Sequence, residues 1–173
     1  TTSSAVAAVL LQRPVEDMTG RGAGLSSEGL QKKIAAIRQG IALSRPDPAD
    51  PVDVVAKVGG LDIAGLMGVY LGGALCRIPV LLDGFVSSVA ALAAARLCPN
   101  AKDYMLGSHA SDEPAGTAVL DALGLKPFLY AGMRLGEGTG AVAVMPLLDM
   151  ALAVYREMCT FTDISIDAYE HLT

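Results

Sequence analysis

A single glutamate stands between two glycines in Arg134-Leu135-Gly136-Glu137-Gly138-Thr139-Gly140, just ahead of an apolar helical run. Glycines let a backbone pass close to a ligand and leave a neighbouring carboxylate uncovered. A helix start favours negative charge, so Glu137 is expected to be ionised and ready to accept a proton. The same place suits a carboxylate that only caps the helix, and position in the sequence leaves the two readings level.

Three further segments offer polar chemistry. Gly20-Arg21-Gly22-Ala23-Gly24 has the backbone amides to cradle an anion. It lacks the G-x-G-x-x-G spacing and follows no apolar strand, so a dinucleotide fingerprint is not supported and a plain turn is the default. Ser108-His109-Ala110-Ser111-Asp112-Glu113-Pro114 holds hydroxyls and amides suited to phosphate, although capping of the next helix by Ser111 or Asp112 is the readier explanation. Asp83-Gly84 closes a short apolar run, where an aspartate either orients a ribose or a loop, or caps the helix beginning at residue 85.

Other chemistries find little support. The two histidines, His109 and His171, have no metal-ligand spacing around them, and no metal is expected. No G-x-S-x-G elbow supports a Ser-His-Asp hydrolase. The net charge of −5, without a basic cluster, argues against a nucleic-acid groove. Cys76, Cys98 and Cys159 are odd in number and widely spaced, which reads as buried free thiols in a reducing cytoplasm. The uncharged runs 63–76 and 84–95 fall short of the roughly 18–20 residues of a membrane span, and no signal peptide is visible. The chain opens on Thr1-Thr2-Ser3-Ser4, directly into an apolar run, which is expected of a processed protein or a fragment.

The elements that must position these residues can be read along the 173 residues, about half of them apolar and rich in Ala, Leu, Val and Gly. A first helix is expected over residues 2–12, stopped by Pro14. Ser26 or Ser27 caps a second, reaching residue 43, with Leu30, Ile34, Ile37 and Ile41 on one buried face. On that helix Lys33 lies at the edge of the apolar stripe and can reach into a cleft, whereas Lys32 points to solvent. Asp50 and Pro51 start a short helix over 52–58, and a longer one covers 62–77.

From there the chain takes up a βα rhythm. Strands are expected at 78–82, 103–106 and 127–130, with helices at 85–97, 114–123 and 141–158. Short apolar strands separated by helices pair in parallel, which gives an α/β fold. Ligands of such open sheets bind beyond the carboxyl ends of the strands, where the polar loops at Asp83-Gly84, 108–113 and 134–140 all lie.

Taken in order, these segments resemble the nicotinate-nucleotide–dimethylbenzimidazole phosphoribosyltransferases. The resemblance rests on Gly20-Arg21-Gly22 with Gly24, Arg45-Pro46-Asp47-Pro48-Ala49-Asp50-Pro51, Lys57-Val58-Gly59-Gly60-Leu61-Asp62-Ile63-Ala64-Gly65 and Asp83-Gly84-Phe85. Ser108-His109 with Ser111, Glu113 and Pro114, the 134–140 loop, and Glu157-Met158 with Thr160-Phe161 complete the set. It covers practically the whole chain.

What the resemblance implies is an open, mainly parallel sheet flanked by helices in a Rossmann-like three-layer arrangement, incomplete at its N-terminal side. Residues 1–158 would be the C-terminal part of the phosphoribosyltransferase domain, and 159–173 a tail suited to a small helical subdomain. The implied reaction moves phosphoribose from nicotinate mononucleotide to 5,6-dimethylbenzimidazole, giving α-ribazole 5′-phosphate and nicotinate, with no cofactor. It implies Glu137 as general base, taking the azole proton so that the other ring nitrogen attacks C1′. It implies a phosphate held by Gly22, Gly24, Lys33 and Ser111, with Asp83, Gly84, Arg134, Leu135 and Gly136 at the substrates, and a cytoplasmic homodimer. The family also carries a Glu-Met-Gly-Ile-Gly-Asn segment and an upstream half that this chain lacks, so little activity is expected of the chain alone. Two readings of other classes stand beside it: a non-catalytic nucleotide- or phosphate-binding module, and a fragment that needs a missing partner half to fold.

Overall fold

The computed structural model describes residues 1–22 and 24–167, so the expectation for His171 lies outside the described residues. Helix α1 (Thr2–Leu11) is buried from Ser3 to Leu10. Its side chains are small or apolar on every side, so no face prefers water and the helix takes the centre of the molecule. It ends where Gln12 turns left-handed and its amide closes on the Ala8 and Val9 carbonyls. Around it pack α2 (Ser27–Ser44), α3 (Pro51–Val58), α5 (Phe85–Leu97) and α6 (Gly116–Leu123). Helix α5 is the second core helix, buried from Ser88 to Ala94, and its alanines permit close approach. It packs most extensively against α4 (Leu61–Cys76).

The caps follow the sequence. Ser26 accepts the Gly29 amide at 3.1 Å to start α2. Asp50 accepts from Val52 and Asp53 to start α3, with Pro51 in its first turn. On α2, Ile34 and Ile37 are buried and Leu30 and Ile41 pack beside them. Lys32 pairs with Glu28 on the exposed face.

Strand β1 (Val80–Leu82) pairs in parallel with β2 (Met105–Gly107), in the register Val80↔Met105 and Leu82↔Gly107. The crossover runs through α5 and a 3₁₀ segment, Pro99–Tyr104. The protein is therefore mixed α/β, with a small parallel sheet among helices. The expected third strand at 127–130 is corrected to a single parallel bridge, His109↔Leu129. Pro127 has no amide to give, Tyr130 is exposed, and the chain turns at Gly132 with φ +60°. The pairing nevertheless continues as isolated bonds: Phe128 and Leu129 donate to the Gly107 and Ser108 carbonyls, and Asp112 donates to Met133.

One other expectation changes. Cys76, Cys98 and Cys159 are free but exposed. Each falls at or beyond a helix end rather than within a buried turn: Cys76 is the last residue of α4, Cys98 caps α5, and Cys159 follows α7 (Thr139–Glu157). Helix α7 is long and apolar enough, by length and composition, to cross a membrane. It buries only Gly140 and Val144, and leaves Val142, Met145, Met150, Val154 and Tyr155 exposed.

Candidate active site

The carboxyl ends of β1 and β2 open into a cleft of about 850 Å³. Its floor is the Asp83–Gly84 turn, and its sides are the loops at 108–113 and 134–138. An apolar wall comes from Leu66, Val69 and Tyr70 on α4 and Phe85 on α5. Such a wall suits a flat aromatic ring, while the loops supply the polar contacts.

The loop presenting Glu137 is unusual. Gly136, Glu137 and Gly138 all have positive φ, at 75°, 58° and 81°. Glutamate in that conformation costs on the order of 1–3 kcal/mol, and the flanking structure must hold it there. The Thr139 hydroxyl bonds to the Gly136 carbonyl at 2.7 Å. Asp83 holds the other end: its Oδ2 accepts from Gly138 at 3.0 Å, and its Oδ1 from Gly140 at 2.8 Å and Ala141 at 3.3 Å. One carboxylate thus caps α7 from 55 residues away, where the dipole favours a negative charge. Of the alternatives left open for Asp83, the bonds present are those that orient a loop. The α5 helix has Gly84 as its cap residue and no side-chain cap bond.

Glu137 does not cap α7, because Asp83 already does. It is exposed, lines the cleft, and has no hydrogen bond or ion pair with the described residues. Capping by Ser111 or Asp112 is likewise corrected: α6 starts two residues past Pro114, with Ala115 as its cap residue and no side-chain bond. Ser111 is left lining the cleft, its hydroxyl taking the Glu113 amide at 3.4 Å. Arg134 lies 4.0 Å from Asp112, an exposed pair that ties the two loops together.

The glycine-rich loop comes to the rim of the same cleft. Gly22 lines it with φ +57°. Arg21 braces the loop through the Leu25 carbonyl and the Ser27 hydroxyl. Lys33 reaches over as its helical position predicts, and its Nζ donates to the Gly20 carbonyl at 2.9 Å. It stops beside Gly22, outside the lining of the cleft, and Gly24 also lies outside it. The structure therefore brings Gly22, Asp83, Gly84, Ser111, Arg134, Leu135, Gly136 and Glu137 to one cleft, with Lys33 at its edge.

Tyr70, Phe85, Glu113 and His109 also line the cleft, although the sequence assigned none of them a role. Tyr70 and Phe85 look like ordinary core positions until the cleft is seen. Glu113 is a second carboxylate without a side-chain partner among the described residues, packed so close to Gly20 that a Cβ there would overlap its Oε2. The only sequence signal for it was its place in a polar loop that no helix uses. His109 is buried, with its Nδ1 3.0 Å from the Ser108 hydroxyl and its Nε2 without a partner among the described residues. Burial pushes the Tyr70 hydroxyl up to about 12, helped by the nearby Asp83 charge and opposed by Ser87. Among the described residues, no group of three His, Cys, Asp or Glu is placed to hold a metal ion.

Fold and cleft together define a mixed α/β protein with an open cleft where its parallel strands end, lined in part by a carboxylate set between glycines. Residues 1–166 match the family model described as phosphoribosyltransferase. The nicotinate-nucleotide–dimethylbenzimidazole phosphoribosyltransferase of Acetivibrio thermocellus is 53% identical over 170 residues, covering 98% of this chain and 48% of that protein. The enzyme of the same name from Desulforudis audaxviator is 54% identical over 166 residues, covering 96% of this chain and 47% of that one. A crystal structure of CobT from Thermus thermophilus superposes with a TM-score of 0.89 at 38% identity, over 97% of this chain and 50% of that chain. The chain belongs to the nicotinate-nucleotide–dimethylbenzimidazole phosphoribosyltransferase family. It spans about half the length of the curated relatives it matches.

Proposed function

We propose that this chain supplies the proton-accepting side of a cleft in which phosphoribose passes from nicotinate mononucleotide to 5,6-dimethylbenzimidazole. The observation that carries the reading is Glu137, exposed to the cleft and without a partner among the described residues, on a strained loop whose ends are tied down. A carboxylate so placed can take the N–H proton of an azole as the opposite ring nitrogen forms its bond to C1′ and nicotinate leaves. The apolar wall of Leu66, Val69, Tyr70 and Phe85, with Leu135 across from it, offers surface for the flat acceptor. Ser111 and the amides around Gly22 are suited to the phosphate, with Lys33 at hand once its bond to Gly20 is exchanged for one to the anion. Arg134, Gly136 and Gly84 complete the nucleotide side, whereas Asp83 works through α7, its oxygens being committed to amides.

The proposal extends to a cytoplasmic, homodimeric enzyme without a cofactor, with α7 packed against protein rather than lipid. Asp149 within that helix, and Arg156 and Glu157 at its end, suit a protein environment. Residues 1–158 would form part of the catalytic domain and the following tail would join a smaller helical unit. Glu137→Gln in an enzyme of full family length is expected to lower turnover at least about 100-fold while leaving nicotinate mononucleotide affinity within roughly twofold. Turnover unchanged in that variant would remove the reading.

A second reading has its own support in the half-length coverage. The isolated 173-residue chain is expected to bind nicotinate mononucleotide without converting it, as titration calorimetry beside a product assay would reveal. Formation of α-ribazole phosphate by the isolated chain would reject this second reading.

A further inference from the structure

His109 is the one buried side chain at the cleft whose polar atom the described structure leaves without a partner. Its ring sits between the end of β2 and the first turn of α7. The Ser108 hydroxyl holds Nδ1 from one side at 3.0 Å, and that hydroxyl in turn contacts the Asp83 carbonyl at 3.3 Å. Gly140, buried in the first turn of α7, lies against the Nδ1–Cε1 edge of the same ring. A Cβ at Gly140 would overlap both Nδ1 and Cε1 of His109 and come within 3.0 Å of Asp83 Oδ1. The backbone of α7 is therefore set down on the imidazole as closely as a glycine allows.

We propose that His109 is a positioning residue for Glu137: its ring is the wall against which the start of α7 is seated, while Asp83 draws the same turn inward through its amides. Wall and tether act on Gly140 together, since its amide donates to Asp83 and its Cα faces the ring. The loop from Gly136 to Gly138 hangs from that turn, so its left-handed geometry is fixed from the rear. The shape of the ring and its Ser108 bond do the seating, a role that makes no use of Nε2, which has no partner among the described residues. The seating also explains the glycine at 140, where any Cβ would overlap the ring. The inference rests on the reading of Glu137 as the proton acceptor.

A double-mutant cycle tests it. Gly140→Ala is expected to push α7 off its seat. In the 173-residue chain, the amide resonances of Gly136, Glu137 and Gly138 should shift while those of α1 and α3 stay. In an enzyme of full family length, kcat should fall on the order of tenfold or more, with KM for nicotinate mononucleotide within about twofold. His109→Ala makes room for the added methyl, so the His109→Ala/Gly140→Ala pair should recover part of both the loop resonances and kcat relative to Gly140→Ala alone. His109→Phe, which keeps a ring but loses the Ser108 bond, should retain more turnover than His109→Ala. If Gly140→Ala leaves the loop resonances in place, or if His109→Ala gives no recovery, the seating role is overturned. If the cycle behaves as expected while Glu137→Gln keeps full turnover, the seating stands and the assignment of Glu137 is what fails. His109→Ala introduces no clash, so should Gly140→Ala not fold, the loop resonances and the kcat-against-KM split of His109→Ala alone decide: no change in either overturns the proposal.

Discussion

Asp83 ends a strand, yet what it stabilises is a helix more than fifty residues further along the chain. Removing its carboxylate leaves three amides of α7 without their acceptor, two of them in its first turn. Asp83→Ala is expected to cost about 1–2 kcal/mol, read from urea unfolding, and to lower turnover through the loop it holds. Tyr70 makes a separate, pH-dependent contribution. Below pH 10 both folded and unfolded chains keep the phenol proton, and the contribution is complete. As pH climbs from 10 toward about 12, the unfolded chain gives up its proton while the buried hydroxyl keeps its own, so stability falls. The loss is roughly 2–3 kcal/mol, and Tyr70→Phe should remove that part of the alkaline decline in urea midpoints. At this scale the sequence singles out Glu137 by its glycines and Lys33 by its place on α2, and the structure sets the first in the cleft and the second outside its lining. It does not disclose Asp83 as the cap of α7 or His109 as its neighbour, because both contacts bridge segments that only the tertiary fold brings together.

The helices were legible because capping and periodicity are local. Asp50 before Pro51 announces α3, and the bonds to Val52 and Asp53 are present. Asp50→Ala should therefore lower thermal stability by about 1 kcal/mol without touching the cleft, a pairing that calorimetry and a ligand titration check together. Strands were less legible. Two of them are three residues long, too short for a period to register, and the third run contains the right residues but pairs only once. Proline at 127 and the turn at Gly132 were visible in the sequence, and together they outweigh the apolar content of the run. The cysteines show the converse. Their apolar neighbours pointed inward, but a residue at a helix end follows the geometry of the end and not the average of its surroundings.

Seen whole, the molecule is unevenly covered. Its centre holds α1 and the middle of α5, buried from Ser3 to Leu10 and from Ser88 to Ala94, while α7 offers a row of large apolar side chains to solvent. An exposed apolar surface of that kind favours association. Sedimentation of the isolated chain is expected to show concentration-dependent self-association, reduced by Met150→Lys or Tyr155→Lys, with the far-ultraviolet spectrum of the monomer unchanged. A monodisperse monomer at every concentration would count against α7 as a packing surface.

Handedness gives the loop at 136–138 one further consequence. Three successive residues there wind in the sense that mirror-image amino acids prefer, and only the middle one carries a side chain. A D-glutamate built into position 137 by chemical synthesis would sit in that backbone at ease, and the protein carrying it should be the more stable of the two. Its carboxylate, however, would leave the chain along the other bond of the α-carbon, so a gain in stability would come with an acid aimed away from the cleft.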